Sequence, residues 1–230
     1  MPYKVEKKDF EKEYQEKGTY HRNAEGFKKW FLDVNYRLLA ANISEKDKVL
    51  DVACGEGVFS DYLPTEDITG IDNSPTAIRF ANKLGRKGEY LVMDMQNLEF
   101  EPNIFDAVTC SLSLFYFDSS NIDGVLQEIK KVLKPGGKFN FSYKNLEHPK
   151  VQEFIAKLDS TMEAFSLLEL KEILERNNFE IKEIVGTNLM LDLSEVPEGK
   201  LNEINESSKK LAYHLPKESY HYVMYSEVRK

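Results

Sequence analysis

Val49-Leu50-Asp51-Val52-Ala53-Cys54-Gly55-Glu56-Gly57 is the stretch whose reading decides the fold. The apolar residues around Asp51 read as a short buried strand, and small residues with two glycines make a tight turn after it. Val58-Phe59-Ser60-Asp61-Tyr62-Leu63 then reads as the start of a helix, and a second carboxylate, Asp72, follows twenty-one residues after Asp51. A strand, a glycine turn, a helix and an acid at the end of the next strand describe a nucleoside-binding βαβ unit.

The same alternation continues outward. Asp67–Ile71 is a predicted strand ending at Asp72, and Ser74 with Pro75 opens a helix, serine as the cap and proline at the first helical position. Tyr90–Met93 is a third strand closing on Asp94, and Phe105–Leu112 is a fourth. Ile122, Val125, Leu126, Ile129 and Leu133 then share one helical face, up to a stop at Lys134-Pro135-Gly136-Gly137. Lys138–Tyr143 is a fifth strand. Ser166-Leu167-Leu168-Glu169 is a capping box for a helix that ends at Asn177-Asn178, and Phe179–Val185 and Tyr220–Val228 read as strands. The expectation is one doubly wound α/β domain with a mostly parallel seven-stranded sheet and an antiparallel C-terminal edge strand. Residues 1–46 form a helical, aromatic-rich cap (Phe10, Tyr14, Tyr20, Phe27, Trp30, Phe31, Tyr36), 47–187 the core, and 188–230 an insertion and the last strand.

Composition bounds the function. The 230 residues carry a formal net charge of −8, which disfavours an extended phosphate-binding surface and argues against a nucleic-acid partner. Cys54 and Cys110 are the two cysteines, too few for a disulfide framework and without the spacing of a metal site. They read as small buried residues. The opening residues Met1-Pro2-Tyr3-Lys4-Val5-Glu6-Lys7-Lys8 have no apolar signal core, and no apolar run approaches the ~20 residues of a membrane span. The cytoplasm is the expected location.

Two nucleoside ligands compete for the glycine turn. Dinucleotides need G-x-G-x-x-G, the third glycine allowing close helix packing beside the pyrophosphate. Here the pattern is Gly55-x-Gly57-x-x-Ser60, and Asp51 would face an anionic pyrophosphate unfavourably. An acid at that place suits a ligand carrying an amino group and a sulfonium cation.

From Lys46 to Ile184 the residues resemble the class I S-adenosylmethionine-dependent methyltransferases. Val49–Gly57 is similar to the family's first motif, Gly70-Ile71-Asp72-Asn73-Ser74-Pro75 to the second, and Tyr90–Gln96 with Leu98 and Phe100 to the third. Phe105–Val108 and Val132–Gly137 resemble the fourth and fifth, and the whole is most similar to a small-molecule branch that includes quinone-biosynthesis enzymes. Ala53 stands where the family more often has glycine, which implies a slightly tighter loop. The resemblance implies S-adenosylmethionine as cofactor and S-adenosylhomocysteine as product. Asp51 and Ala53 would act through the turn on the methionine portion, and Gly55 and Gly57 would admit the ligand to the backbone. Asp72, followed by Asn73, would accept from the ribose hydroxyls, and Asp94 from the adenine amino group, with Met95 or Gln96 adding a backbone donor. Ser111 would lie near the methionine backbone.

Methyl transfer from a sulfonium is an in-line displacement with a neutral leaving group, so a base is needed only where the acceptor must lose a proton. Of His21, His148, His214 and His221, His21 beside Tyr20 is favoured, because the resemblance places the N-terminal helices over the acceptor. Tyr116, within Leu114-Phe115-Tyr116-Phe117 after strand four, offers a hydroxyl, although this aromatic run reads equally well as core. The absence of a Pro-Pro-Tyr motif there argues against base-amine methylation. The expected acceptor is a small molecule methylated at oxygen, nitrogen or carbon, with no metal involved. An RNA or protein methyltransferase, a non-catalytic S-adenosyl-ligand binding module and an NAD-dependent oxidoreductase remain alternatives.

Overall fold

The computed structural model describes residues 10–18, 26–149, 151–152, 165–189 and 219–229. Seven strands make one sheet: β1 (Val49–Val52), β2 (Ile68–Asp72), β3 (Glu89–Val92), β4 (Phe105–Cys110), β5 (Leu133–Lys144), β6 (Phe179–Leu189) and β7 (Ser219–Val228). Their order is β3-β2-β1-β4-β5-β7-β6. From β3 through β5 every neighbouring pair is parallel, while β7 runs antiparallel to both β5 and β6. The C-terminal strand is antiparallel as expected but lies one place in from the edge, which β6 occupies.

Helices α1 (Phe10–Lys17) and α2 (Gly26–Ala40) precede the sheet, and α3 (Pro75–Lys83), α4 (Ile122–Val132) and α5 (Leu167–Arg176) connect its strands. Strand alternation sorts the residues by face. Leu50, Val52, Val108, Phe139, Phe141 and Met224 pack with α4 and α5 in the larger core. Val49, Ala107, Val223 and Tyr225 pack with Leu32, Tyr36 and Leu39 of α2 on the other face. Among the described residues no helix is long and apolar enough to cross a membrane.

Local chemistry explains the departures from the sequence pattern. The expected helix after the glycine turn is a 3-10 turn over Val58–Tyr62, ended by extended Leu63 (φ −81°, ψ 137°). Leu63 precedes Pro64, whose ring disfavours helical geometry in the residue before it. The α4 helix stops at Val132, and Lys134-Pro135-Gly136-Gly137 forms a bulge inside β5, between the pairs Phe105–Leu133 and Ala107–Lys138. The capping box at Ser166 is present in both directions. Asn178 takes the left-handed conformation (φ 71°) that closes α5.

Candidate active site

Strand order locates the site. The chain leaves β1 toward β2 and β3, then returns to β4 on the other side, so the crevice between the C-terminal ends of β1 and β4 is the switch point where open α/β sheets bind ligands. The register pairs Asp51 with Thr109 and Val52 with Cys110, which brings Ala53 and Ser111 level at the mouth of that crevice. Ala53 (φ 55°) and Leu112 (φ 51°) are both left-handed, a backbone state that costs a non-glycine residue about 1–2 kcal/mol. Glycine at position 53 would avoid that cost. Leu112 N–H donates to Ser142 Oγ at 3.0 Å, which holds the turn after β4.

Three acids gather here. Asp51 is 5% exposed and accepts a 2.8 Å hydrogen bond from Thr109 Oγ1. Burial pushes its carboxyl up to about 7, the threonine hydroxyl opposing and the charge of Asp72 adding. Asp72 is also buried, accepting from Gly55 N–H and Ser74 N–H at 2.9 Å each. Burial raises its carboxyl too, those two backbone bonds pulling the other way. Glu56, in the glycine turn, is fully buried. Sequence reasoning passed it over as the unspecified position of Gly55-x-Gly57.

The glycines serve side chains as well as the backbone. A Cβ on Gly55 (φ 57°) would lie 2.6 Å from Tyr14 Oη, and one on Gly57 (φ 73°) 2.6 Å from the Tyr90 ring. Ser60, at the third-glycine position, donates to Gly57 C=O at 2.8 Å and so ties the turn to itself.

Helix α1 crosses this region. Glu11 accepts from Ser74 Oγ (2.5 Å), Thr76 Oγ1 (2.6 Å) and Thr76 N–H (3.1 Å) at the start of α3. These bonds hold its carboxyl down at about 2. One helical turn on, Tyr14 is buried against Gly55, and its hydroxyl is pushed up by burial and by Asp72 and Glu56. Neither contact has a local signal, since each joins residues far apart in sequence.

The remaining predicted site residues fall as follows. Ser74 does cap α3, its side chain accepting from Ala77 N–H. Asn73 and Asp94 are exposed, and Asp94 accepts from Gln96 N–H at 2.9 Å in a turn beyond β3. Met95 is buried in the larger core. Tyr116 lies in a 3-10 turn over Leu114–Tyr116, half-buried against that core with its ring 4.4 Å from Phe115. His21 and Tyr20 lie outside the described residues. Another histidine, His221 of β7, pairs in register with Lys144 of β5 and is buried with its ring 4.7 Å from Phe31 of α2. Burial, Lys144 and His148 hold it neutral. Cys54 and Cys110 are buried free thiols, pushed up by burial. Among the described residues no group of side chains is placed to hold a metal ion.

Residues 50–141 match the family model described as a methyltransferase domain. Over those residues the chain is similar to methyltransferases. It is 32% identical to the sterol 24-C-methyltransferase of Candida albicans over 61% of this chain and 42% of that protein. It is 34% identical to the demethylmenaquinone methyltransferase of Thermotoga maritima over 57% of this chain and 56% of that protein. The chain thus spans about half the length of these curated relatives. In fold it is similar to a Pyrococcus horikoshii protein (TM-score 0.67, 19% identity, 95% of this chain and 99% of that one). It is likewise similar to an S-adenosylmethionine-dependent methyltransferase from Mesorhizobium loti (TM-score 0.60, 16% identity, 84% and 97%).

Proposed function

We propose that this protein transfers a methyl group from S-adenosylmethionine to an oxygen, nitrogen or carbon of a small molecule. The observation that carries the reading is the gathering of Asp51, Glu56 and Asp72, all buried, at the switch point of a methyltransferase domain. Burial raises both Asp51 and Asp72, with the charge of Asp72 adding at Asp51 and that of Glu11 adding at Asp72. A cationic ligand relieves both costs, whereas a pyrophosphate adds to them. The donor set therefore fits a sulfonium bearing an α-ammonium.

In this reading Asp51 with Ala53 and Ser111 faces the methionine end, and Gly55 and Gly57 form the turn beneath the ligand. Asp72 spends one lone pair of each oxygen on the backbone and keeps others for the two ribose hydroxyls, as a carboxylate has about four acceptor sites. Asp94, with Met95 and Gln96 behind it, takes the adenine edge. Bound there, the cofactor supplies an electrophilic methyl whose leaving group is a neutral thioether. The chain's part is to align the acceptor and exclude water, a contribution of several kcal/mol (about 7–11 at best) from proximity alone. His21, Tyr20 and Tyr116 are the residues proposed to take an acceptor proton where the chemistry demands one.

The acceptor is proposed as a small molecule on two grounds. The relatives are named for sterols and demethylmenaquinone, and the net charge of −8 suits a nucleic acid poorly. The three segments are proposed to act as one unit, in the cytoplasm. The test is mass spectrometry of the purified protein incubated with isotope-labelled S-adenosylmethionine and a metabolite extract. One newly labelled small molecule, with S-adenosylhomocysteine formed alongside, is expected. Label confined to RNA or protein, or tight cofactor binding with no labelled product, would overturn it.

A further inference from the structure

The α2 helix carries one residue that the fold leaves incompletely satisfied. Asn35 has no exposed surface. Its Nδ2 donates to Ser111 Oγ at 3.0 Å, and its Oδ1 accepts no hydrogen bond among the described residues. Turning the amide round would let Ser111 donate to Oδ1 and would leave Nδ2 over instead. In either orientation one strong polar atom is desolvated without a protein partner, an arrangement that costs stability.

Its place in the fold gives that atom a use. Phe31, Asn35 and Leu39 lie on successive turns of one face of α2. Phe31 rests on His221, and the Leu39 carbonyl accepts from Asn140 Nδ2 at 2.9 Å, so Asn35 is pinned between two fixed contacts. Its partner Ser111 stands level with Ala53 across the mouth of the β1–β4 crevice, one residue past the strand that carries Thr109 and its bond to Asp51. A rigidly held, desolvated amide bonded to Ser111 at the mouth of a switch-point crevice is a preorganised site for a small charged group.

We propose that Asn35 reads the amino-acid end of the methyl donor, its leftover amide atom bonding the α-ammonium in one orientation or the α-carboxylate in the other. The proposal rests on the methyltransferase reading above and extends it to a residue of the N-terminal cap. The leftover atom is a cost carried by the free protein and recovered on binding.

Two ligands separate the possibilities. S-Adenosylhomocysteine has the complete amino-acid end, and 5′-methylthioadenosine keeps adenine, ribose and thioether but lacks it. Binding of both is measured by calorimetry for the wild type, for the near-isosteric Asn35→Leu and for Asn35→Ala, with thermal unfolding of the free proteins alongside. We expect Asn35→Leu to weaken S-adenosylhomocysteine by about tenfold or more, the loss of one hydrogen bond to a charged group, with methylthioadenosine binding unchanged. The free Asn35→Leu protein should melt no lower than the wild type. Asn35→Ala should show the same split between ligands, so that the result stands if the leucine variant fails to fold. Unchanged binding of both ligands overturns the proposal and hands Asn35 to the acceptor. Equal weakening of both also overturns it, leaving a structural role. If the wild type binds neither ligand, the methyltransferase reading itself falls.

Discussion

Replacing Asp72 with alanine separates a ligand-binding acid from a structural strap. In the free protein the carboxylate accepts two backbone hydrogen bonds of 2.9 Å, from Gly55 at the glycine turn and Ser74 at the start of α3. Hydrogen bonds to a charged group contribute roughly 1.5–3 kcal/mol each. Burial of the charge offsets much of that, as the raised carboxyl of Asp72 shows. A net stability loss of about 1–2 kcal/mol is expected, which for a chain of 230 residues lowers the melting temperature by roughly 2–8 °C. The ligand term is separate. Losing the charged acceptor for the ribose should weaken S-adenosylhomocysteine by about 1.5–3 kcal/mol, roughly ten- to 150-fold. Calorimetry at a temperature well below the lowered transition reads the affinity without interference from unfolding. A protein that melts lower yet binds S-adenosylhomocysteine as tightly as the wild type would refute the ribose assignment.

The raised carboxyl of Asp51 makes binding pH-dependent. It holds its proton in the free protein up to about pH 7, against an ordinary 3.8, and a cation favours the ionised form. Affinity for S-adenosylhomocysteine should therefore climb as pH rises toward 7 and level off above it, with protons released to buffer. Asp51→Asn should flatten the profile. The sign for stability is opposite: the free wild type should lose stability between about pH 4 and 7, because the unfolded chain ionises first, and Asp51→Asn should not. Glu11, held down at about 2, stabilises the docking of α1 above the ordinary carboxylate range, and that contribution is lost as pH falls toward 2. Glu11→Ala should accelerate hydrogen exchange across Phe10–Lys17 at neutral pH, and unchanged protection would refute the contact. Ser166→Ala removes the side-chain half of the α5 capping box, keeping the backbone N–H bond to Glu169, and should cost about 1 kcal/mol in urea unfolding without altering ligand affinity.

The sequence by itself determined the parts whose cause is local. The strand–glycine turn–acid pattern, the serine caps of α3 and α5 and the asparagine stop after α5 depend on residues a few positions apart, where side-chain shape and backbone freedom act directly. They set Asp51, Gly55 and Asp72 at the carboxyl ends of β1 and β2. Even locally, competing signals had to be weighed. Pro64 cut the helix after the glycine turn to a 3-10 turn, and the Pro-Gly-Gly that reads as a helix stop became a bulge within β5. Only the tertiary structure decided what lies across the site. Glu11 reaches Ser74 over 63 residues and Asn35 reaches Ser111 over 76, and hydrophobic periodicity says which face of α1 or α2 is buried but not what it meets. The position of β7 inside the sheet is likewise a matter of pairing partners, which alternation along one strand does not encode. Local sequence assembled the acidic turn, and long-range packing placed Tyr14 against it and Asn35 against Ser111.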